Sequence, residues 1–384
     1  MYFQVFRNYR HLWCAPHSLQ RVGLKGGFVV LNEFLSIWNG TLKNSDYSKA
    51  IVYRISGESV KSKSRVKWWT SYDQIHQLFR IFSTLPRIAK EIKDNGFAKA
   101  NNVKLLDIVT RNKDVTSDLS LALCAVVDVY GPFVRVTRFL ESRNFIGPFV
   151  YREVTALKVF AQTVLQAKVC PNELPNVCAV LSKVAGISTF RSPTEYWLQF
   201  ILPAVQPGLE YYWKLFVNLD SDIEFDEDPS PVCFREFVDL FRFVRLFEPK
   251  QGLAMLSAPN FSIDEWKAIA LPSISGALWE QCASVAGLSA LTKLYIDTFA
   301  HNDSLEFDAV SLLLFWQDKA NILCAGPWAE AAQVFVLARP SSAFAESLFS
   351  LYQWCVSDFM MRSHEDTQEL RVQLNQERVS NRNL

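Results

Sequence analysis

Near the C-terminus one carboxylate has small neighbours on every side. Glu346 lies in the run Pro340-Ser-Ser-Ala-Phe-Ala-Glu-Ser-Leu-Phe-Ser350, beside Ala343, Ser347 and Ser350. Small side chains let an ion or a backbone approach an acid closely, while an acid without such a visitor is simply solvated. At the other end, Cys14-Ala-Pro-His17 has the spacing of half a zinc site. A full site needs two more ligands, and His11, His76, His301 and His364 form no second pair. The residues therefore read as a packed thiol and a hydrogen-bonded imidazole, with no metal. Between these ends, Lys61, Lys63, Arg65 and Lys67 alternate with Ser and Val and run into Trp68-Trp69. Cations at this spacing can meet phosphates, and an indole can stack on an unpaired base. The same residues serve equally as a mobile basic linker and a core-filling pair at a helix entrance. The acids between Asp220 and Asp228 imitate a calcium loop, but Phe225 and Pro231 stand where that loop needs Gly and Glu. They read as a solvated loop.

The elements that must position these groups are helices. Pro340 can open one, Ser341 or Ser342 can cap it, and Phe344, Leu348, Leu351 and Cys355 then share a face. Phe28, Leu31, Phe34, Leu35 and Trp38 make another apolar stripe, with Asn39-Gly40 and Asn44-Ser45 as turn signals. Thr70 or Ser71 is placed to cap a helix facing inward through Ile75, Phe79 and Phe82. Leu119 to Tyr130 and Phe133 to Leu140 read as two helices broken at Gly131-Pro132. Further helical stripes follow over 150–169, 174–219, 234–247, 261–300 and 310–332. Few stretches alternate as strands do, and no repeat of fixed period is visible. The fold class predicted is mainly α.

The chain has 384 residues, of which 49% are hydrophobic, so a large core is easily built. A net charge of +1 argues against a broadly basic surface and leaves room for a local patch. The apolar runs look too short or too interrupted to cross a bilayer, and no signal peptide is visible. Eight cysteines lie scattered without a Cys-x-x-Cys and read as reduced thiols, so a nuclear or cytoplasmic protein is expected rather than a secreted one. Lys25-Gly26-Gly27 lacks the spacing of a phosphate loop, and no nucleophile elbow supports a hydrolase. No small-molecule substrate or membrane partner is expected.

The stretch from Ser341 to Ser350 closely resembles the C-terminal signature of hAT-superfamily transposases. The likeness continues through Ser357-Asp-Phe-Met-Met-Arg362, and departs at Ser347 and at Gln353-Trp354. Other segments resemble the family in the same order: Cys14 with His17, Trp68 in its Trp-Trp-Thr-Ser-Tyr-Asp run, Tyr130 to Glu141, Phe243 to Pro249, and Leu312 to Trp316. The resemblance implies a multi-helix insertion domain over residues 21–310. Remnants of an RNase H-like α/β fold would stand at the two ends: residues 1–20, and residues 311–384 as the C-terminal dimerisation region. It implies that Glu346 is the last of three acidic metal ligands, and that Trp68 stacks on flipped bases. Phe344, Leu348, Phe349 and Leu351 would belong to the dimerisation surface.

Two-metal cleavage needs all three acids, because each ion must neutralise an attacking or leaving oxygen. In the family two aspartates precede the Cys-x-x-His segment, and here no Asp or Glu precedes Glu33. The expectation is a catalytically inactive transposase-derived protein, with Glu346 vestigial. It would act by self-association as a homodimer and by protein or DNA contacts. A divalent metal would enter only if the missing aspartates were supplied. Two alternatives stay open: a nucleic-acid-binding module using Lys61, Lys63, Arg65, Lys67 and Trp68, and a truncated version of an active DNA transposase.

Overall fold

In a computed structural model, residues 15–43, 45–61, 68–95, 100–141, 146–184, 192–217, 238, 240–264, 276–302 and 307–336 are described. Among them every regular element is helical. The chain divides into two compact units: Met1–Phe139 with Pro148–Arg245 and Ser262–Ser273, and Leu140–Gly147 with Leu246–Phe261 and Ile274–Leu384. Residue 310, the expected end of the insertion domain, falls inside the second unit.

The first unit opens with α1 (Ala15–Lys25), α2 (Val29–Leu42) and α3 (Asp46–Ser56), followed by α4 (Trp68–Arg80), α5 (Leu85–Asn95) and α6 (Ala100–Arg111). Of the stripe the spacing predicts on α2, Phe28, Leu31, Phe34 and Trp38 are buried and Leu35 is half-buried. Asn39-Gly40 is not a turn, because α2 runs through it. Gly40 leaves room there for Asn101 on α6, and the Asn39 amide is engaged by Gln74. Ser45 does end the α2–α3 connection, its hydroxyl accepting from Ser48 N–H as an N-cap. Gly57 closes α3 in the left-handed region (φ 74°), where a side chain would be strained.

α7 (Asp118–Leu140) is the spine of this unit, and here one expectation fails. Pro132 sits inside a single helix and does not break it. A proline costs one backbone hydrogen bond, but this helix is buried on nearly all sides, from Leu119 through Leu123, Val129 and Phe133 to Leu140. Apolar burial of that extent outweighs the loss. By length and composition α7 could cross a membrane, contrary to the sequence expectation, yet 78% of its most apolar window is buried inside the protein. Apolar residues all round a helix packed this way mark a core helix.

α8 (Gly147–Gln166) and α9 (Pro175–Val184) follow, then α10 (Pro193–Tyr196), a π turn at Trp197–Ile201 and α11 (Leu202–Val217). The π turn stands just before Pro203, whose ring would crowd the carbonyl four residues back in an ordinary α turn. Glycines let α1 and α11 approach closely: a Cβ on Gly208 would stand 2.3 Å from the Val22 carbonyl oxygen. Gly26 belongs to the same seam, 2.7 Å from the Ala204 oxygen by the same construction, so Lys25-Gly26-Gly27 is a packing device.

After the 3₁₀ turn Arg245–Phe247, the second unit holds α12 (Pro249–Leu256), α13 (Gly276–Ala283), α14 (Val285–His301), α15 (Ala309–Gln317) and α16 (Lys319–Val336). α16 is kinked at Ala325 (φ −131°), two residues before Pro327. The core here is aromatic. Phe247 meets Trp316 and Trp328 at centroid distances of 6.1 and 5.9 Å, and Tyr295 meets Trp316 at 6.2 Å. Trp316 Nε1 donates to the Phe247 carbonyl at 2.7 Å, and the Tyr295 hydroxyl donates to that of Leu246. Glu248, almost fully buried, caps α12 by accepting from Gln251 N–H at 2.7 Å and Lys250 N–H at 3.3 Å. Burial pushes its carboxyl up, and those N–H bonds oppose the shift. Of the stretch Phe243–Pro249, noted for its resemblance, Leu246, Phe247 and Glu248 thus supply contacts at the centre of this core.

Candidate nucleic-acid interface

Two amides decide the geometry at the start of the basic run. Gln74 and Gln77 stand three apart on α4, on the inward face beside Ile75 and Leu78, and are 2% and 1% exposed. Buried amides must find partners, and these find the chain that leaves α3. Gln77 Nε2 donates to the Ser59 carbonyl at 2.7 Å and to Glu58 Oε2 at 3.3 Å. Gln77 Oε1 accepts from Lys61 N–H at 2.9 Å. Gln74 Nε2 donates to the Lys61 carbonyl at 3.3 Å and to Asn39 Oδ1 at 2.6 Å, while Asn39 Nδ2 returns a bond to Gln74 Oε1 at 3.3 Å. Outside the amides, Arg80 pairs with Glu58 at 2.7 Å. Both backbone groups of Lys61 are thus held by one helix, and the residue itself is exposed.

α4 begins at Trp68, so Thr70 and Ser71 lie within its first turn and do not cap it. Ile75 is buried, with Phe79 and Phe82 half-buried. Trp69 is half-buried, with the Arg138 guanidinium of α7 5.4 Å from its ring centroid. Arg138 also pairs with Asp73 at 2.5 Å, which fixes the cation over the indole. Tyr72, His76 and Phe79 stack along the helix, with ring centroids 5.8 and 6.4 Å apart. Burial holds the His76 imidazole below its ordinary range, and the Arg80 charge adds to this.

Of the residues expected to touch DNA, Lys61 is anchored here and Trp68 opens α4. Lys63, Arg65, Lys67 and the Trp68 side chain lie outside the described residues. So do Glu346 and the residues expected at a dimerisation surface, Phe344, Leu348, Phe349 and Leu351, together with Cys14 and the acidic run at 220–228. His17 lies on α1. Among the described residues no three His, Cys, Asp or Glu side chains gather as a metal site would require.

In the same unit lies a small recess of about 180 Å³ lined by Phe79, Phe82, Leu123, Cys124 and Val180. Burial pushes the Cys124 thiol up to about 12, with the Asp128 charge adding, so it is a poor nucleophile. Asp128, itself buried, accepts from Asn176 Nδ2 at 2.5 Å and Val177 N–H at 2.9 Å, and so fastens the start of α9 to α7. Gln74, Gln77 and Asp128 are not named by the sequence reading. The available signal was two amides inside an apolar stripe, at Gln74-Ile75 and Gln77-Leu78.

No protein-family model, curated protein or solved structure matches the chain.

Proposed function

We propose that the chain is a catalytically inactive, hAT transposase-derived protein that acts by contact. In this reading it self-associates through residues 311–384, where Phe344, Leu348, Phe349 and Leu351 supply the apolar surface. Lys61, Lys63, Arg65 and Lys67 meet the DNA backbone, and Trp68 offers a stacking face. The observation that supports it is the double grip of Gln74 and Gln77 on the Lys61 backbone, which leaves the lysine side chain in water at the head of the basic run. A wholly mobile linker has no need of two buried amides. The helical body of the described residues agrees with an insertion domain, and the RNase H-like remnant at the two ends belongs to the same reading. The proposed inactivity is that of these 384 residues by themselves, in which Glu346 matches one of the family's three acids and one carboxylate cannot hold two ions in place.

The test is duplex DNA binding followed by fluorescence anisotropy between about 50 and about 200 mM salt. Binding should weaken steeply with salt. Replacing Lys61, Lys63, Arg65 and Lys67 by Gln should lower the log–log slope by up to roughly 3.6, counting about 0.9 released counterion per phosphate contact. An absence of binding at the lowest salt removes the DNA contact. A mass by light scattering that stays monomeric, with or without residues 338–384, removes the self-association. Nicking of DNA by the chain with magnesium or manganese removes the inactivity.

A further inference from the structure

Cys170 lies in the connection after α8, and Cys178 near the start of α9. Their sulfurs are 3.4 Å apart, the Cys178 thiol donating to Cys170, with no disulfide between them. The backbone that carries them is held at several points. Leu174 N–H donates to the Pro171 carbonyl at 3.0 Å, and Cys178 N–H to the Leu174 carbonyl at 2.9 Å. Trp197 Nε1 donates to the Ala167 carbonyl at 2.9 Å, at the start of the connection. Asp128 grips Asn176 and Val177 just after it. Leu174 is fully buried between the two cysteines. The Cys178 thiol also bonds the Pro171 carbonyl at 3.4 Å, which aims it back across the loop. The near approach of the two sulfurs is therefore built into the fold. A sulfur–sulfur bond is about 2.05 Å long, so small side-chain rotations close the gap. Both residues are half-buried, within reach of a small oxidant, whereas Cys124 and Cys282 are buried.

We propose that Cys170 and Cys178 form a reversible dithiol–disulfide site, closed by a hydroperoxide and reopened by a dithiol reductant. In the closing reaction, one thiolate attacks the peroxide. Its sulfur gains the oxygen as a sulfenic acid, the O–O bond breaks, and the alcohol or water half leaves with a proton. The second sulfur then attacks the sulfenic sulfur. The S–S bond forms, the S–O bond breaks, and water leaves with the second thiol's proton. Two thiols have lost two electrons and two protons, and the peroxide has taken them. Reopening oxidises the external dithiol to its own disulfide. Burial, with the hydrogen bond from Cys178, pushes the Cys170 thiol up, which makes it the poorer attacking sulfur and leaves it the resolving role behind Cys178. Once closed, it ties the connection to α9, whose Asn176, Ala179 and Val180 form one wall of the apolar recess.

Trypsin makes the test direct, because cleavage after Lys168 and Lys183 leaves both cysteines on one peptide, Val169–Lys183. The full chain is treated with hydrogen peroxide, alkylated with iodoacetamide, digested and weighed. The expected result is a peptide lighter than its reduced form by two hydrogens, without alkylation, and restored by dithiothreitol. It should form before alkylation is lost at Cys124, which is buried where Cys170 and Cys178 are half-exposed. In Cys178→Ser, the internally linked peptide should not form, and Cys170 should stay alkylatable or stop at the sulfenic acid. The proposal is overturned if Val169–Lys183 remains fully alkylatable under peroxide that oxidises the exposed Cys324. It is equally overturned if the two cysteines link to a second chain in preference to each other.

Discussion

In the second unit, Trp316 and Tyr295 direct their polar atoms at the carbonyls of Phe247 and Leu246, and the rings around them fill the interior. In the first, Gln74 and Gln77 direct theirs at the chain from Glu58 to Lys61, and that chain carries charge outward. Both sets of donors are buried and both are satisfied, so each avoids the cost of an unmet polar group. They differ in what the bonds hold. The aromatic set ties a core to itself, and losing it loses volume as well as hydrogen bonds. The amide set ties a surface segment to a helix, and losing it frees that segment while the helix keeps its apolar stripe. Stability is thus concentrated in the first kind of contact and positioning in the second.

Substitutions should separate the two. Trp316→Ala leaves a cavity and an unbonded Phe247 carbonyl, and should destabilise the second unit by about 3–5 kcal/mol in urea denaturation. Gln77→Leu keeps the volume but abandons Lys61 N–H and the Ser59 carbonyl. Its global cost should be about 1–2 kcal/mol, with faster hydrogen exchange centred on residues 58–61. If Gln77→Leu destabilises the protein as much as Trp316→Ala, the distinction fails.

The smallest effect expected is one of pH. His76 has its proton affinity lowered in the folded state by burial and by Arg80. Its contribution is therefore full above the ordinary imidazole range and is lost as pH falls through the folded value. Urea midpoints should drop between about pH 7.5 and about pH 5.5, and His76→Phe should reduce that drop while preserving the Tyr72–Phe79 stack. An unchanged drop would place the acid sensitivity elsewhere.

How much of this is legible in the sequence varies by kind of contact. The α2 stripe from Phe28 to Trp38 is legible because period and burial coincide. The start of α4 is misread because Thr70 and Ser71 are good caps in isolation, while the helix has already begun at Trp68. Pro132 is read as a break because its cost is local and visible, whereas the burial that overrides it comes from residues distant in sequence. Gln74 and Gln77 look like surface amides, since nothing nearby in sequence announces Lys61 or Asn39 as partners. The eight-residue separation of Cys170 and Cys178 says nothing of their distance until the turn at Pro171–Leu174 is formed. The Glu346 segment, which carries the strongest resemblance, lies outside the described residues.

The decisive measurement is the duplex DNA affinity of a Gln74→Leu, Gln77→Leu double variant whose helicity and second-unit unfolding match the parent. If the amides hold Lys61 and its basic run for contact, release of the segment should weaken binding by about 3- to 10-fold, the loss of preorganisation, with the same number of phosphate contacts in the salt slope. Affinity equal to the parent's, with hydrogen exchange showing the segment released, would contradict the role assigned to the amides.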